Sequence, residues 1–325
     1  MKTQQEAKIQ VALIGLGKIG CRYDLGSKTQ VLTHACAISR NDAFELVAAV
    51  EILPLYANDF KQHYSTPVFS SINEMLDAVE PQLIVIATPT STHLQVLEQI
   101  LGSPKLKAVL CEKPISEDLH QATRIVKLFQ DQKIELVLNY QRRSARPTNE
   151  LKSLISSKQL GAFLGGSAFY SGGYFNSASH LVDTLEWLFE TAAVPSKMTQ
   201  LAKLKSDLKV SATFKLMDRD FHLQQIETDL FSIFEAYLLF EKFRVRYLDG
   251  GDRVFIDELQ ANKTYSNEYN YGLSVDPKFR SEGNDLIQVY KDLHKLLLGQ
   301  SCDLLPGVDA ISLVSRMYAI AEIGE

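Results

Sequence analysis

Residues 15–20, Gly15-Leu16-Gly17-Lys18-Ile19-Gly20, follow the apolar run 9–14 and match the pattern G-x-G-x-x-G. Glycine at these places permits a tight turn and a close approach of backbone to a ligand. A helix opening there turns its first amides and a positive dipole toward a pyrophosphate. The pattern gains meaning from an acidic residue that ends the next apolar run: Glu51 closes 46–50, where a carboxylate receives the hydroxyls of an adenosine ribose. Ile52, Leu53 and Pro54 follow, with no arginine or lysine to hold a 2′-phosphate, so NAD is expected over NADP. A solvated carboxylate at a strand end is the plainer reading of Glu51. The spacing is long: Glu51 lies 31 residues beyond Gly20, where about 20 is usual. Some ten residues are therefore expected to be inserted, and the polar stretch 21–31, with Tyr23, Asp24 and Lys28, is the candidate.

Two further segments end apolar runs. Run 83–87 leads into Thr88-Pro89-Thr90-Ser91-Thr92-His93, where open α/β sheets bind ligands. Thr88 and Thr90 can meet a cofactor there, and Ser91 or Thr92 can equally cap the next helix. Run 108–111 delivers Glu112-Lys113-Pro114 to the same edge. An ammonium at Lys113 can bind a substrate hydroxyl or help move its proton, with a pKa lowered by burial and positive neighbours. Farther on, Asn176, His180 and Asp183 stand at i, i+4 and i+7, so on a helix they would share one face. Imidazole is the side chain best poised to exchange a proton near neutral pH; a core histidine and a helix-terminal aspartate are the alternatives for His180 and Asp183.

These residues need strands and helices that alternate. From 8 to 140, short apolar runs at 9–14, 46–50, 68–69, 83–87, 108–111 and 135–139 are separated by amphipathic stretches at 72–79, 92–101 and 118–130. In the last, Ala122, Ile125, Val126 and Phe129 repeat at helical spacing, and Ser116 with Asp118 can cap its start. Six strands with intervening helices predict a doubly wound α/β sheet of the Rossmann kind. After Arg146-Pro147 the period changes. Leu208, Val210, Ala212, Phe214 and Leu216 alternate with polar residues, as do Phe243, Val245 and Tyr247. Asp249-Gly250-Gly251 then offers a turn before 254–256. This predicts an α+β domain with an open, mostly antiparallel sheet, closed by helices at 285–298 and 309–323 with Pro306-Gly307 between them. The boundary falls near 145, giving 1–145 as the cofactor domain and 146–325 as the substrate and oligomerisation domain.

In this order the motifs resemble the Gfo/Idh/MocA oxidoreductases, the family of glucose-fructose oxidoreductase and inositol dehydrogenase. The resemblance rests on Gly15 to Gly20, on Ala87-Thr88-Pro89 with His93, on Glu112-Lys113-Pro114, and on the stretch 172–183 (GGYFNSASHLVD). The crossover 139–147 and the pattern of 307–323 are compatible with it. It implies that Lys113 and His180 face the nicotinamide and form the acid/base pair. Gly15, Leu16, Gly17, Lys18, Ile19, Glu51, Thr88, Pro89, Thr90, His93, Glu112 and Lys113 would line the cofactor, in a cleft between the domains. Tyr174, Asn176, Asp183 and Arg142 would meet the substrate. It also implies a homodimer or homotetramer formed through the C-terminal sheet.

The chain departs from the common family pattern at Asn176, where many members carry aspartate. Asparagine can hydrogen-bond a hydroxyl but cannot take its proton, which leaves the proton to Lys113 and His180. Ala178 is a milder change, and the stretch 21–31 is the second departure. Arg142, Arg143 and Arg146 form the densest basic cluster. They suit a carboxylate or a nucleotide-sugar phosphate, and equally an exposed hinge with surface ion pairs.

Composition narrows the classes. A chain of 325 residues is long enough for two domains, and 36.5 kDa provides a core that needs neither disulfides nor a structural metal. Its 34 basic and 39 acidic residues include no polybasic run, so no nucleic-acid partner is expected. No apolar stretch is long enough for a membrane span. The polar residues 1–10 do not resemble a signal peptide, and four scattered cysteines without a CxxC pair argue for a reducing compartment and against zinc. The expectation is a cytoplasmic NAD-dependent dehydrogenase or reductase acting on a carbinol carbon of a sugar, a sugar derivative or a cyclitol. A redox-assisted glycosidase, a reductase of a non-sugar carbonyl and a non-catalytic NAD(H)-binding sensor are the alternatives.

Overall fold

From residue 8 to 140 strand alternates with helix, because most of the apolar runs are buried in a sheet and the stretches between them carry one apolar side. The computed structural model describes residues 7–27, 29–116, 118–204 and 207–322. Residues 1–6, on which the reading of the N-terminus partly rests, and Lys28 and Ile323 lie outside the described residues. Elements run β1 (Ile9–Ile14), α1 (His34–Ser39), β2 (Phe44–Val50), α2 (Pro54–Lys61), β3 (Val68–Phe69), α3 (Ile72–Ala78) and β4 (Leu83–Ile86). Then follow α4 (Thr90–Ile100), β5 (Ala108–Cys111), α5 (Leu119–Asp131) and β6 (Glu135–Leu138). The strands pair in parallel in the order β6-β5-β4-β1-β2-β3. The order reverses beside β1 and β4, the place where doubly wound sheets open a ligand crevice at the C-terminal strand ends. On α5, Ala122, Ile125, Val126 and Phe129 are all buried, and Asp118 caps the helix by accepting from the Gln121 amide.

A second compact unit comprises residues 145–282 and 312–325. It holds α6 (Arg146–Ser156), β7 (Phe163–Tyr170), α7 (Ser179–Phe189), β8 (Val194–Leu204), β9 (Asp207–Leu216) and β10 (Arg219–Gln225). Next come β11 (Phe234–Phe240), β12 (Phe243–Leu248), β13 (Arg253–Ala261), β14 (Tyr269–Tyr271) and β15 (Phe279–Arg280). Its sheet runs β14-β13-β12-β11-β7-β10-β9-β8, with β15 beside β13. Among the described strands of this sheet only the β7–β10 pair is parallel, so the sheet is mostly antiparallel. Val182 and Leu185 of α7 pack over Phe214 and Leu216 of β9 and Phe221 and Leu223 of β10. The Asp249–Gly251 turn runs through the left-handed region at all three residues, and a side chain on Gly251 would overlap the Tyr247 hydroxyl.

The chain then returns to the first unit through α8 (Asp285–Leu297) and β16 (Leu305–Pro306), and ends in α9 (Gly307–Glu322). β16 adds an antiparallel edge strand beside β6. Residues 283–311 thus belong to the first unit, although sequence order assigns them to the second. The reason is burial: Leu286, Val289, Tyr290 and Leu293 of α8 complete the core around α1 and β2. The four cysteines are free, and burial pushes the thiols of Cys21 and Cys36 up to about 11. Among the described residues no helix is long and apolar enough to cross a membrane.

Candidate active site

After β1 the backbone turns at Gly15, whose φ is +95°, and a Cβ there would stand 2.8 Å from the carbonyl of Ala87. Gly20 is equally confined, because a side chain would overlap the Gly15 carbonyl. Gly17 differs: a Cβ would meet nothing within 4 Å, so the backbone is bare on an open side. Two packing glycines and one open glycine fit a pyrophosphate laid against the turn. The turn closes with the Cys21 amide donating to Gly17 O (3.1 Å) and the Arg22 amide to Lys18 O (3.1 Å). The amides ahead of Cys21 are those that a helix start turns toward an anion.

The helix expected to open at this turn does not follow directly. A short 3₁₀ turn, Arg22–Asp24, leads into a loop, and α1 begins only at His34. The amides of His34 and Ala35 donate to Ile19 O (3.0 Å) and Gly20 O (2.9 Å), the bonds that residues 23 and 24 would make in an unbroken helix. Eleven residues are therefore looped out of one helix, the offset from 24 to 35. Removing eleven from the gap of 31 between Gly20 and Glu51 restores the ordinary spacing of about 20. Asp24 holds the loop: its buried carboxylate accepts from Leu32 N (2.6 Å), Thr33 N (3.0 Å) and Thr33 Oγ1 (2.6 Å), and Thr33 caps α1. Arg22 reaches to α2, pairing with Asp59 at 2.6 Å and lying 4.2 Å from the Tyr56 ring centre.

Glu51 closes β2 beside the turn. Its Oε2 accepts from Leu16 N (2.8 Å) and its Oε1 from Leu53 N (2.9 Å). The carboxylate thus ties the glycine turn to the start of α2, a structural duty that spacing alone does not reveal. The amide of Leu16 is engaged by this bond, and the Leu16 side chain is buried. Lys18 is exposed and Ile19 half-buried on the turn's rim.

Pro89 precedes α4, and Thr92 Oγ1 donates to Pro89 O at 2.8 Å, also lying 2.9 Å from Thr88 Oγ1. His93 does not line the surface as the resemblance implies. Its ring is buried, with Nδ1 2.9 Å from Pro114 O and Nε2 2.9 Å from Thr88 O. Burial holds its pKa below the ordinary value, although both carbonyls work the other way. The ring braces the Thr88-Pro89 turn against the turn of Lys113-Pro114, whose peptide bond is cis.

Glu112, expected to line the cofactor, also faces inward. Its Oε1 accepts from Asn139 Nδ2 (2.6 Å) and lies 3.1 Å from His34 Nε2, while His34 Nδ1 lies 2.9 Å from Tyr290 Oη. Burial pushes the Glu112 carboxyl up, but the hydrogen bond from His34, the Asn139 amide and the Lys113 ammonium outweigh it, and the net shift is downward. Sequence reasoning missed His34, Asn139 and Tyr290. Tyr290 lies 256 residues from His34, so no spacing could have paired them. Lys113 follows at the strand edge, half-buried.

In the second unit, the segment after β7 forms a π-helical turn, Tyr174–Ala178, that runs into α7. Both oxygens of Asp207 receive it, from Phe175 N and Asn176 N at 2.9 Å each, and a Cβ on Gly173 would overlap this carboxylate. Asp207 carries no sequence signal and was not anticipated. Along this segment Asn176 is exposed, His180 half-buried and Asp183 buried. Asp183 is 0% exposed, as is Tyr174, whose ring packs edge-on against Phe175 at 5.2 Å. Of the expected substrate contacts, Tyr174 and Asp183 are buried, Asn176 is exposed and His180 is half-buried. His180 O accepts from Thr184 Oγ1 at 2.7 Å, and Trp187 anchors α7 by donating to Asn149 Oδ1 at 3.2 Å.

Arg142 lies in a 3₁₀ turn, Gln141–Arg143, that Ser144 fixes by donating to buried Asp292 at 2.9 Å. Arg146 pairs with Glu150 and Glu282 on the surface, which matches the hinge reading for that residue.

Comparison with known proteins agrees with this architecture. Residues 9–140 match a family described as the GFO_IDH_MocA oxidoreductase family, NAD-binding Rossmann fold. Glucose-6-phosphate 3-dehydrogenase of Bacillus subtilis is 28% identical over 203 residues, 54% of this chain and 57% of the relative. Inositol 2-dehydrogenase of Rhizobium meliloti is 30% identical over 135 residues, 42% of this chain and 37% of the relative. The chain thus spans about half the length, or less, of these curated relatives. The solved structure of the WlbA dehydrogenase from Bordetella pertussis, in complex with NADH and UDP-GlcNAcA, superposes with a TM-score of 0.75 at 20% identity. That superposition covers 99% of this chain and 97% of the other, and establishes the two-domain α/β fold.

Proposed function

We propose that the chain, whose residues 9–140 match the Gfo/Idh/MocA oxidoreductase family, is a member of it and an NAD-dependent dehydrogenase or reductase of a polyhydroxy substrate, a sugar, sugar derivative or cyclitol. The observation that carries the reading is the joint presence of a built dinucleotide turn at Gly15–Gly20 and of Lys113 and His180 on well-anchored segments. Gly17, the turn amides, Glu51 and Thr88 would hold the cofactor, whose nicotinamide supplies hydride transfer to or from a carbinol carbon. Lys113 and His180 handle the hydroxyl proton: imidazole takes it on oxidation and returns it on reduction, while the ammonium hydrogen-bonds the same oxygen. Asn176 orients a substrate hydroxyl, and Arg142 meets an acidic substituent. Glu51 favours NAD, since its carboxylate repels a 2′-phosphate, and Arg22 is engaged by Asp59 and Tyr56. The mostly antiparallel sheet of the second unit is the surface on which two copies would associate, with light scattering as its test.

The test is a panel of sugars, sugar acids, nucleotide sugars and inositols with NAD and NADP, followed at 340 nm. Lys113→Met and His180→Ala are expected to bind NAD as the parent does and to lose turnover by 10²-fold or more, on the order expected for general acid/base groups. Parental turnover in either variant refutes the role given to that residue. A tight preference for NADP refutes the role given to Glu51.

A further inference from the structure

His34 and Tyr290 are buried side chains that the proposed chemistry does not use. They come from α1, directly after the looped-out segment, and from α8, which returns to this unit from the far end of the chain. A neutral imidazole carries one N–H, and at His34 one tautomer satisfies both ring nitrogens. Tyr290 Oη donates to Nδ1 (2.9 Å), and Nε2–H donates to Glu112 Oε1 (3.1 Å). The other tautomer would turn a lone pair toward the carboxylate and leave the Tyr290 proton without this acceptor. Tyr290, by donating to Nδ1, therefore holds the proton on Nε2, the nitrogen that faces the acceptor-only carboxylate of Glu112.

We propose that His34, fixed in this tautomer by Tyr290, is a positioning residue that keeps Glu112 a carboxylate and so keeps a negative charge beside Lys113. It touches neither substrate nor cofactor and acts through Glu112. The inference rests on Lys113 being a working group of the site and adds what controls its charge. The groups facing Glu112 are few. His34 reaches it from α1 and Asn139 from the end of β6, and Cys111 and Lys113 flank it in the chain. Tyr290 on α8 and His93 on α4 lie within electrostatic range. Lys113 is the lysine among them, so an anionic Glu112 favours the ammonium form of that side chain.

The experiment is a carbon-13 NMR titration of the apoprotein labelled at glutamate side-chain carboxyls, with Glu112 assigned by its loss in Glu112→Gln. In the parent, the Glu112 signal is expected to titrate below the ordinary glutamate range. In His34→Phe, which removes the donor, it should move up by about one pH unit, a tenfold change in proton affinity. Tyr290→Phe keeps the packing and frees the tautomer, and should move it in the same direction by less. An unshifted Glu112 signal in folded Tyr290→Phe overturns the tautomer argument, and an unshifted signal in His34→Phe overturns the whole proposal. Should His34→Phe fail to fold, Tyr290→Phe alone decides. The titration needs neither substrate nor NAD, so an enzyme inactive on every alcohol tried would count against the proposed function and leave this inference standing. With an active substrate, the acid limb of kcat should move up in each variant by the shift that variant shows in the Glu112 titration, with the KM for NAD unchanged. A pH-independent loss of kcat would show a merely structural role.

Discussion

The amide of Ala35 donates to the carbonyl of Gly20 at 2.9 Å and thereby joins two pieces of one helix across a loop. The glycine turn keeps its shape because the helix it should open resumes in register, with Thr33 as a new cap and Asp24 as the clasp. The loop is thus an addition to the dinucleotide turn and leaves its geometry unchanged.

Excision of residues 23–33 should therefore join Arg22 to His34 as consecutive helical residues. The shortened chain is expected to fold and melt cooperatively, with helical circular dichroism equal to or above the parent. A molten or insoluble product would contradict the register assigned to Ala35.

Asp207 and Gly173 form a second clasp. Gly173→Ala should drive the carboxylate off the amides of Phe175 and Asn176 and cost about 1–3 kcal/mol in urea denaturation. Asp207→Ala removes the same bonds, so the double variant should lose less than the sum of the single changes. Strict additivity would show that the two positions act separately.

Glu51 accepts two backbone amides with two different oxygens. Glu51→Gln keeps one acceptor and turns an NH₂ toward the other amide. Isothermal titration calorimetry should show NAD binding weakened by about tenfold, the value of roughly one charge-assisted hydrogen bond. Unchanged affinity would leave Glu51 with its structural duty alone.

Asp257 is fully buried in the second unit and accepts from Arg244, Arg246 and the Ser274 amide. Burial pushes its carboxyl up, but the two guanidinium groups and the amide prevail and hold it down to about 2. The folded value lies below the unfolded one, so the stabilisation is fully present above about pH 4 and is lost as pH falls toward 2. Parent and Asp257→Asn should differ by about 2 kcal/mol at pH 7 in chemical denaturation, with the gap narrowing below pH 4. A gap independent of pH would place the effect in packing.

The sequence by itself determined the six parallel strands, the amphipathic α5, the alternating strand β9 and the antiparallel character of the second sheet. Each of these is written in local periodicity, and β1, β3 and β5 begin and end where their apolar runs do. The G-x-G-x-x-G turn and the Glu51 that answers it were legible for the same reason, as was an insertion of about the right length. Tertiary structure alone decided what the polar residues of these motifs touch. His93 and Glu112 read as cofactor contacts but turn inward, because a buried polar group must find partners and theirs lie on other strands and helices. Tyr174 and Asp183 read as substrate contacts, and that both are buried is visible only in the tertiary structure. Residues 283–311 read as part of the second domain but complete the first, because the apolar face of α8 fits α1 and β2. That return is what brings Tyr290 to His34, a pairing between distant segments that no local pattern could encode.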